Sequence, residues 1–224
     1  MKKLYFLSVI LMPLLLASCG GTITPDDPSG KEKTDEELGV TAVDLGLSVF
    51  WCDKNIDAVS PDDSGSYFAW GETVGKTSFT KENYKWGNDS AGGIKKYNSA
   101  DGPEFLEAAD DAAHAKLGGK WRMPTTDEWL ELRDKCSWKW TKQGNSNGFL
   151  VTSKDGSTTI FLPAAGGYTG SSLLDVGNHG FYWTSRLLKS SPASAWSFWI
   201  YKSTVTGEDF PRYYGFPVRA VKDK

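Results

Sequence analysis

Apolar residues recur along this chain in three rhythms. Leu4 to Ala17 is a nearly unbroken apolar run. From Val43 the rhythm becomes alternation: Val43, Leu45, Leu47 and Val49 are separated by smaller or polar residues, which predicts a half-buried strand over 43–51. Tyr67-Phe68-Ala69-Trp70, closed by Gly71, predicts a second short strand. A helical spacing then appears in Phe105, Ala108, Ala109, Ala112, Ala113 and Leu117. It predicts a helix over 104–117, stopped by Gly118-Gly119. A second helix starts at Thr125, where Thr125-Thr126-Asp127-Glu128 fits a capping box, and ends near Cys136. Farther on, Phe149–Ser153 and Thr158–Leu162 flank Asp155-Gly156, a strong hairpin signal. Residues 181–185, 195–202 and 217–221 read as further strands. Two helices, small twisted antiparallel sheets and long loops predict the α+β class. No linker or repeat interrupts 40–224, so this stretch reads as one domain of about 180 residues, enough to bury a substantial core.

The N-terminus reads as an address. Lys2 and Lys3 precede an apolar run too short for a spanning helix, which needs roughly 20 residues, so 1–18 is predicted to be a signal peptide. The run ends in Leu16-Ala17-Ser18-Cys19, which resembles the bacterial lipobox. That resemblance implies cleavage before Cys19 and diacylation of its thiol, a stable two-chain anchor. Residues 20–39 are rich in Gly, Pro, Asp, Glu, Lys and Thr and read as a flexible linker. The expected location is the outer membrane, lipid-anchored, at the cell surface. The anchor is the predicted membrane contact.

Composition narrows the chemistry. A net charge of −3 without a basic stripe argues against a nucleic-acid partner. Three Cys and two His argue against a tetrahedral zinc site and a His-based triad. No cofactor and no metal site is expected. Gly71-Glu72-Thr73-Val74-Gly75-Lys76-Thr77 is one residue short of a phosphate loop and lacks a following helix. Gly144-Asn145-Ser146-Asn147-Gly148 matches a nucleophile elbow in letters, but a strand follows it where a helix is needed, so it reads as a hairpin loop. Glu72, Asp127, Glu128 and Glu131 are the carboxylates available for a glycosidase pair, with Glu128 already used as a cap. His114 reads as structural, and His179, in a turn, as a candidate ligand contact. Cys52 and Cys136 either pair in a disulfide or remain two thiols. Asp89-Ser90-Ala91 matches a short bacterial O-glycosylation pattern.

Several ordered segments together carry a family resemblance. They are Val43–Trp51, Tyr67–Thr73, Asp110–His114, Gly118–Trp129, Phe161–Gly166, Tyr182–Ser185 and Gly215–Val221. In order and spacing they resemble the Fibrobacter-type major paralogous domain family (FISUMP) across 43–221. That family is itself similar to C-type-lectin-like proteins, a branch shared with formylglycine-generating enzymes and variable receptor-binding proteins. The resemblance implies a C-type-lectin-like domain in which Trp121, Arg122, Pro124, Thr125, Glu128 and Trp129 form a structural signature. Arg122 is expected to pair with a carboxylate or backbone carbonyls. The chain departs from the enzymes by having no Cys after Cys136, and from calcium-dependent lectins at Trp86-Gly87-Asn88-Asp89. Lys54 stands where the family often has a Cys.

In the variable-receptor branch, ligand contacts come from the C-terminal strands and loops. The corresponding positions are Trp183, Arg186, Trp199, Tyr201, Asp209, Arg212 and Tyr213, residue types that dominate binding hot spots. If Trp196, Phe198 and Ile200 face the core, Ser197, Trp199 and Tyr201 face outward. The expected function is a non-catalytic binding module for a surface glycan or protein. The alternatives are an accessory or tip subunit of a surface assembly, and an enzyme on glycans or peptides.

Overall fold

The computed structural model describes residues 32–87, 93–98 and 100–224. The signal peptide, Cys19, most of the linker and Asp89-Ser90-Ala91 lie outside the described residues. In chain order the elements are β1 (Ala42–Val43), β2 (Val49–Asn55), β3 (Tyr67–Phe68), α1 (Ala112–Leu117), β4 (Trp121–Arg122), α2 (Thr126–Lys135), β5 (Ser137–Gln143) and β6 (Ser146–Thr152). There follow β7 (Thr159–Pro163), β8 (Gly167–Thr169), β9 (Ser172–Leu174), β10 (His179–Leu187), β11 (Ser194–Tyr201), β12 (Thr204–Pro211), β13 (Phe216–Pro217) and β14 (Arg219–Asp223). They form five small antiparallel sheets, ordered β1-β2-β14-β4, β10-β11-β12, β13-β3, β5-β6-β7 and β8-β9.

The architecture is therefore mostly β, which corrects the α+β class expected from the sequence. Two differences produce the shift. The helix predicted over 104–117 contracts to six residues, Ala112–Leu117, after a short 3-10 turn at Ala108–Asp110. Residues 104–106 instead pair along β10: Phe105 bridges Arg186, the Leu106 amide donates to the Ser185 carbonyl, and the Leu187 amide donates to the Glu104 carbonyl. Two long strands, β5 and β12, stand where the sequence signalled none. The strand predicted over 43–51 is also broken, because Asp44 accepts the Gly46 amide and Gly46 adopts φ +73°, so the chain turns before β2.

Two aromatic-rich cores are separated by strands buried on both faces. The first holds Cys52, Trp70, Trp121, Trp183 and Val218, with α1 contributing Ala112 and Ala113. The second holds Trp51, Phe198, Ile200 and Val221, with α2 contributing Trp129 and Leu132. Neighbours in sequence go to opposite cores: Trp51 and Cys52 in β2, Tyr182 and Trp183 in β10, Ala220 and Val221 in β14. Trp129 anchors the second core by stacking on Phe198 at 5.1 Å and meeting Trp51 edge-on at 4.8 Å.

The predicted signature region is the joint between these cores. The Thr125 hydroxyl accepts the Glu128 amide at 3.2 Å, and Glu128 accepts the Thr125 amide at 2.7 Å, completing the capping box. The same carboxylate receives Arg122 in a two-pronged contact at 2.6 and 2.9 Å, and Arg122 also reaches Asp223 at 2.7 Å. The Pro124 carbonyl accepts the Ser185 amide, tying this corner to β10. Part of the supposed linker is also structured. Thr34 and Glu37 form a second reciprocal box, and Asp35 accepts from Trp121 Nε1 at 2.9 Å and from Lys222 Nζ at 2.8 Å. Leu38 and Val40 pack on the first core beside it, so residues 34–40 form a strap on the domain.

Candidate binding face

Register places the aromatic residues of the C-terminal sheet. Between β10 and β11, His179 lies opposite Tyr201, Phe181 opposite Trp199, and Trp183 opposite Ser197. Between β11 and β12, Tyr201 lies opposite Thr204, Trp199 opposite Thr206, and Ser197 opposite Glu208. Cross-strand partners share a face, so His179, Phe181, Trp199 and Tyr201 form one aromatic block bordered by Thr204, Thr206 and Glu208. Phe181 and Trp199 are parallel within 4° at 6.5 Å, and Trp199 and Tyr201 within 17° at 6.3 Å. His179 meets Tyr201 edge-on at 4.7 Å and Trp199 at 5.4 Å, while its Nδ1 lies 3.7 Å from Asp175. One end of the block runs into the core, where Phe181 stacks on Phe216 at 5.0 Å.

The other end is open. Tyr201 is 39% exposed, and His179, Phe181 and Trp199 are half-buried. Trp199 Nε1 is buried and has no hydrogen-bond acceptor among the described residues, so the accessible part of its indole is hydrocarbon. The surface thus offers flat apolar rings, with hydroxyl and carboxylate groups along one side. That chemistry suits a ligand with apolar faces and polar edges.

The structure divides the predicted contact residues. Trp199 and Tyr201 stand together on this face, joined by His179 and by Phe181, which the sequence reading did not single out as a contact. Its signal was the alternation of β10 itself, His179, Phe181, Trp183. Trp183 continues the same face but is fully buried in the first core, with Nε1 donating to the Phe68 carbonyl at 2.8 Å; its assignment as a ligand contact is corrected. Arg212 is 1% exposed and bonded to backbone carbonyls, so it too is no surface contact. Asp209 is exposed but lies opposite Trp196, on the far face of the sheet. Arg186 is held by Glu104 at 2.7 Å, away from the block. Tyr213 packs with Tyr214 and under Lys81 near the start of β11.

The other candidates resolve into structural roles. Cys52 and Cys136 are free thiols rather than a disulfide: Cys52 belongs to the first core and Cys136 packs on the second. Burial pushes the Cys52 thiol up to about 11. Glu72 pairs with Lys76 at 2.7 Å and accepts the Lys85 amide, Glu128 is the cap, Glu131 holds Ser48, and Asp127 is exposed. The Gly144–Gly148 segment is the β5–β6 hairpin, where Gln143 lies opposite Ser146. Among the described residues no three His, Cys, Asp or Glu side chains gather as metal ligands, and no helix is long and apolar enough to cross a membrane. A cavity of about 690 Å³ lies beside the strap; its carboxylates Glu37 and Asp57 are engaged by Thr34 and Lys116. Comparison with protein-family models, curated proteins and solved structures finds no match to this chain.

Proposed function

We propose that this chain is a lipid-anchored, non-catalytic binding module at the outer-membrane surface, and that it takes a glycan on the aromatic face of β10–β12. The anchoring rests on the lipobox-like Leu16–Cys19 segment, and FISUMP membership on the ordered segments quoted above. The observation that supports glycan binding is the block of His179, Phe181, Trp199 and Tyr201, bordered by Thr204, Thr206 and Glu208. Sugar rings present C–H faces to aromatic planes and hydroxyls at their edges, and both kinds of group are met here within one sheet. The contact surface is a strand face with its adjoining turns, rather than the long C-terminal loops alone.

The test is binding of residues 32–224 to a broad glycan array, with calcium and with chelator, beside a Trp199→Ala, Tyr201→Ala double variant. The expected result is sugar binding that disappears in the variant while its circular dichroism and unfolding midpoint show a folded domain. Absence of binding to any sugar, or binding indifferent to the double variant, refutes the glycan reading.

A second reading has its own support. Leu173, Leu174 and Val176, at and just beyond β9, are 39%, 50% and 53% exposed. This apolar edge fits an accessory subunit that packs on a partner protein. Capture of a partner that Leu174→Asp abolishes and Trp199→Ala leaves intact would favour it.

A further inference from the structure

The aromatic block does not stop at Phe181. Phe181 meets Phe210 edge-on at 5.3 Å, and Phe210 meets Tyr214 at 6.4 Å. The alternation of β12 puts Phe210 on the same face as Thr204, Thr206 and Glu208. Tyr214 follows just after β12, its amide donating to the Pro211 carbonyl. Between Phe181 and Phe210 the face carries Ser197, whose small side chain is fully buried, so the two larger rings close over it. Phe181, Phe210 and Tyr214 also surround one buried ring: Phe216, 3% exposed, lies 5.0, 5.2 and 6.2 Å from them. That shared floor holds all three in place, while each remains only half-buried. Tyr201, Trp199, Phe181, Phe210 and Tyr214 thus make one continuous run, with centroid steps of 6.3, 6.5, 5.3 and 6.4 Å. The first two steps keep the ring planes within 17°, and the third turns them by 80°.

A single sugar covers one such ring or two. A run this long, with each step close to the length of one pyranose unit, matches consecutive units of a linear chain that twists along its axis. The polar groups beside it follow the same course: Thr204, Thr206 and Glu208 stand in a row at every second position of β12. Their hydroxyls and carboxylate lie where the ring hydroxyls of such a chain need donors and acceptors. Glu208 is exposed, and a carboxylate in this row repels an acidic chain; Lys202 sits in the turn past the Tyr201 end of the run. We infer that the face takes an internal stretch of a linear, neutral polysaccharide, several consecutive sugar units at once, rather than a single sugar or a chain end. This rests on the glycan reading proposed above and specifies the class of glycan.

Isothermal calorimetry on the full chain, in a detergent without a sugar headgroup, tests it. The probes are cello-, xylo-, manno-, laminari- and chitin oligosaccharides from the monosaccharide to the hexasaccharide, with oligogalacturonides as acidic chains of matched length. The expected result is at least one neutral series whose Kd falls roughly tenfold or more from the disaccharide to the pentasaccharide and changes little at the hexasaccharide. Oligogalacturonides should bind more weakly, and Glu208→Gln should narrow that gap. Tyr214→Ala, which removes the ring at the far end, should cost the pentasaccharide most of its gain and leave the disaccharide as in the parent. The length series on the parent stands by itself where Tyr214→Ala does not fold. Three results would overturn the inference and leave the glycan reading intact: equal affinity for disaccharide and hexasaccharide in every series that binds, tightest binding of oligogalacturonides, or a folded Tyr214→Ala that binds the pentasaccharide as the parent does. Binding of no saccharide would overturn both.

Discussion

Asp35 is the residue through which the N-terminal strap holds the domain, and replacing it by Ala isolates that contribution. Two contacts disappear. Trp121 Nε1, on a residue 2% exposed, loses its acceptor, which costs about 1–2 kcal/mol. Lys222 loses an ion pair whose side chains are 29% and 26% exposed, worth about 0.5 kcal/mol after solvent screening. The sum is about 2 kcal/mol. For a domain of this size, with a urea dependence near 2 kcal/mol per molar, the midpoint should fall by about 1 M. The assay is urea unfolding of residues 32–224 followed by tryptophan fluorescence, with Glu36→Ala as the control on an exposed neighbour, expected within about 0.5 kcal/mol of the parent. A domain beginning at residue 41 should lose more than the Asp35 variant, since Leu38 and Val40 also leave the first core. If Asp35→Ala shifts the midpoint no further than Glu36→Ala, the strap is not an integral part of the domain and the reasoning fails.

Three further outcomes are expected. Arg219→Met should destabilise the domain by roughly 2–4 kcal/mol in calorimetric unfolding, because the Cys52 and Phe161 carbonyls and the Asn55 side chain lose buried donors; a loss below about 1 kcal/mol would show that they find other partners. Ellman's reagent at pH 8 should titrate two thiols in the unfolded domain, while in the folded state Cys136 reacts first and Cys52, buried with its thiol at about 11, reacts only on unfolding; fast labelling of Cys52 would contradict its burial. Stability should fall as pH drops below about 4. Burial alone would raise Asp110, but bonds from Lys96, Tyr97 and Lys85 outweigh it and hold the carboxyl below its ordinary 3.8, and Glu131 is likewise held below 4.5 by Lys135 and Ser48 against its burial. The native state favours these charged forms, so their contribution is complete above the unfolded values and is lost as protons bind. Asp111, raised by burial, acts in the opposite sense. Urea midpoints at pH 3 and pH 5 measure the balance, and Asp110→Asn should shrink the difference between them.

The sequence announced those elements whose signal is local. The capping box at Thr125 and the Asp155-Gly156 hairpin need only a few neighbouring residues, and both stand where their letters indicate. The same logic applies at Thr34-Asp35-Glu36-Glu37, but there a polar composition masked the box. β12 was hidden because Gly207, Glu208 and Asp209 are poor strand formers; an edge position beside β11, across the two-residue turn Lys202-Ser203, holds them extended. The small-residue spacing before Ala112 mimicked a helix because β10 had claimed residues 104–106 through contacts about 80 positions away, which no local pattern reports. The binding face was half legible. Alternation in β11 placed Trp199 and Tyr201 side by side, but residue type alone could not tell an aromatic ring at the open end of a face from Trp183 on the same face inside the core. Nor could it reveal that Arg212 sits among carbonyls rather than at the surface.

The pairing of β2 with β14 also bears on how the molecule comes into being. Trp51 faces Val221 across that ladder, and Arg219 reaches back to the Cys52 carbonyl and Asn55, so β2 has its central partner in β14, through contacts 164 and 167 positions apart along the chain. Both cores meet on these strands, and neither can close on a partial chain. Folding is then a late, all-or-none event of high contact order, slow relative to local helix or hairpin formation. A domain built this way closes its two cores only when β14 docks against β2, so any change that loosens this ladder loosens both cores at once.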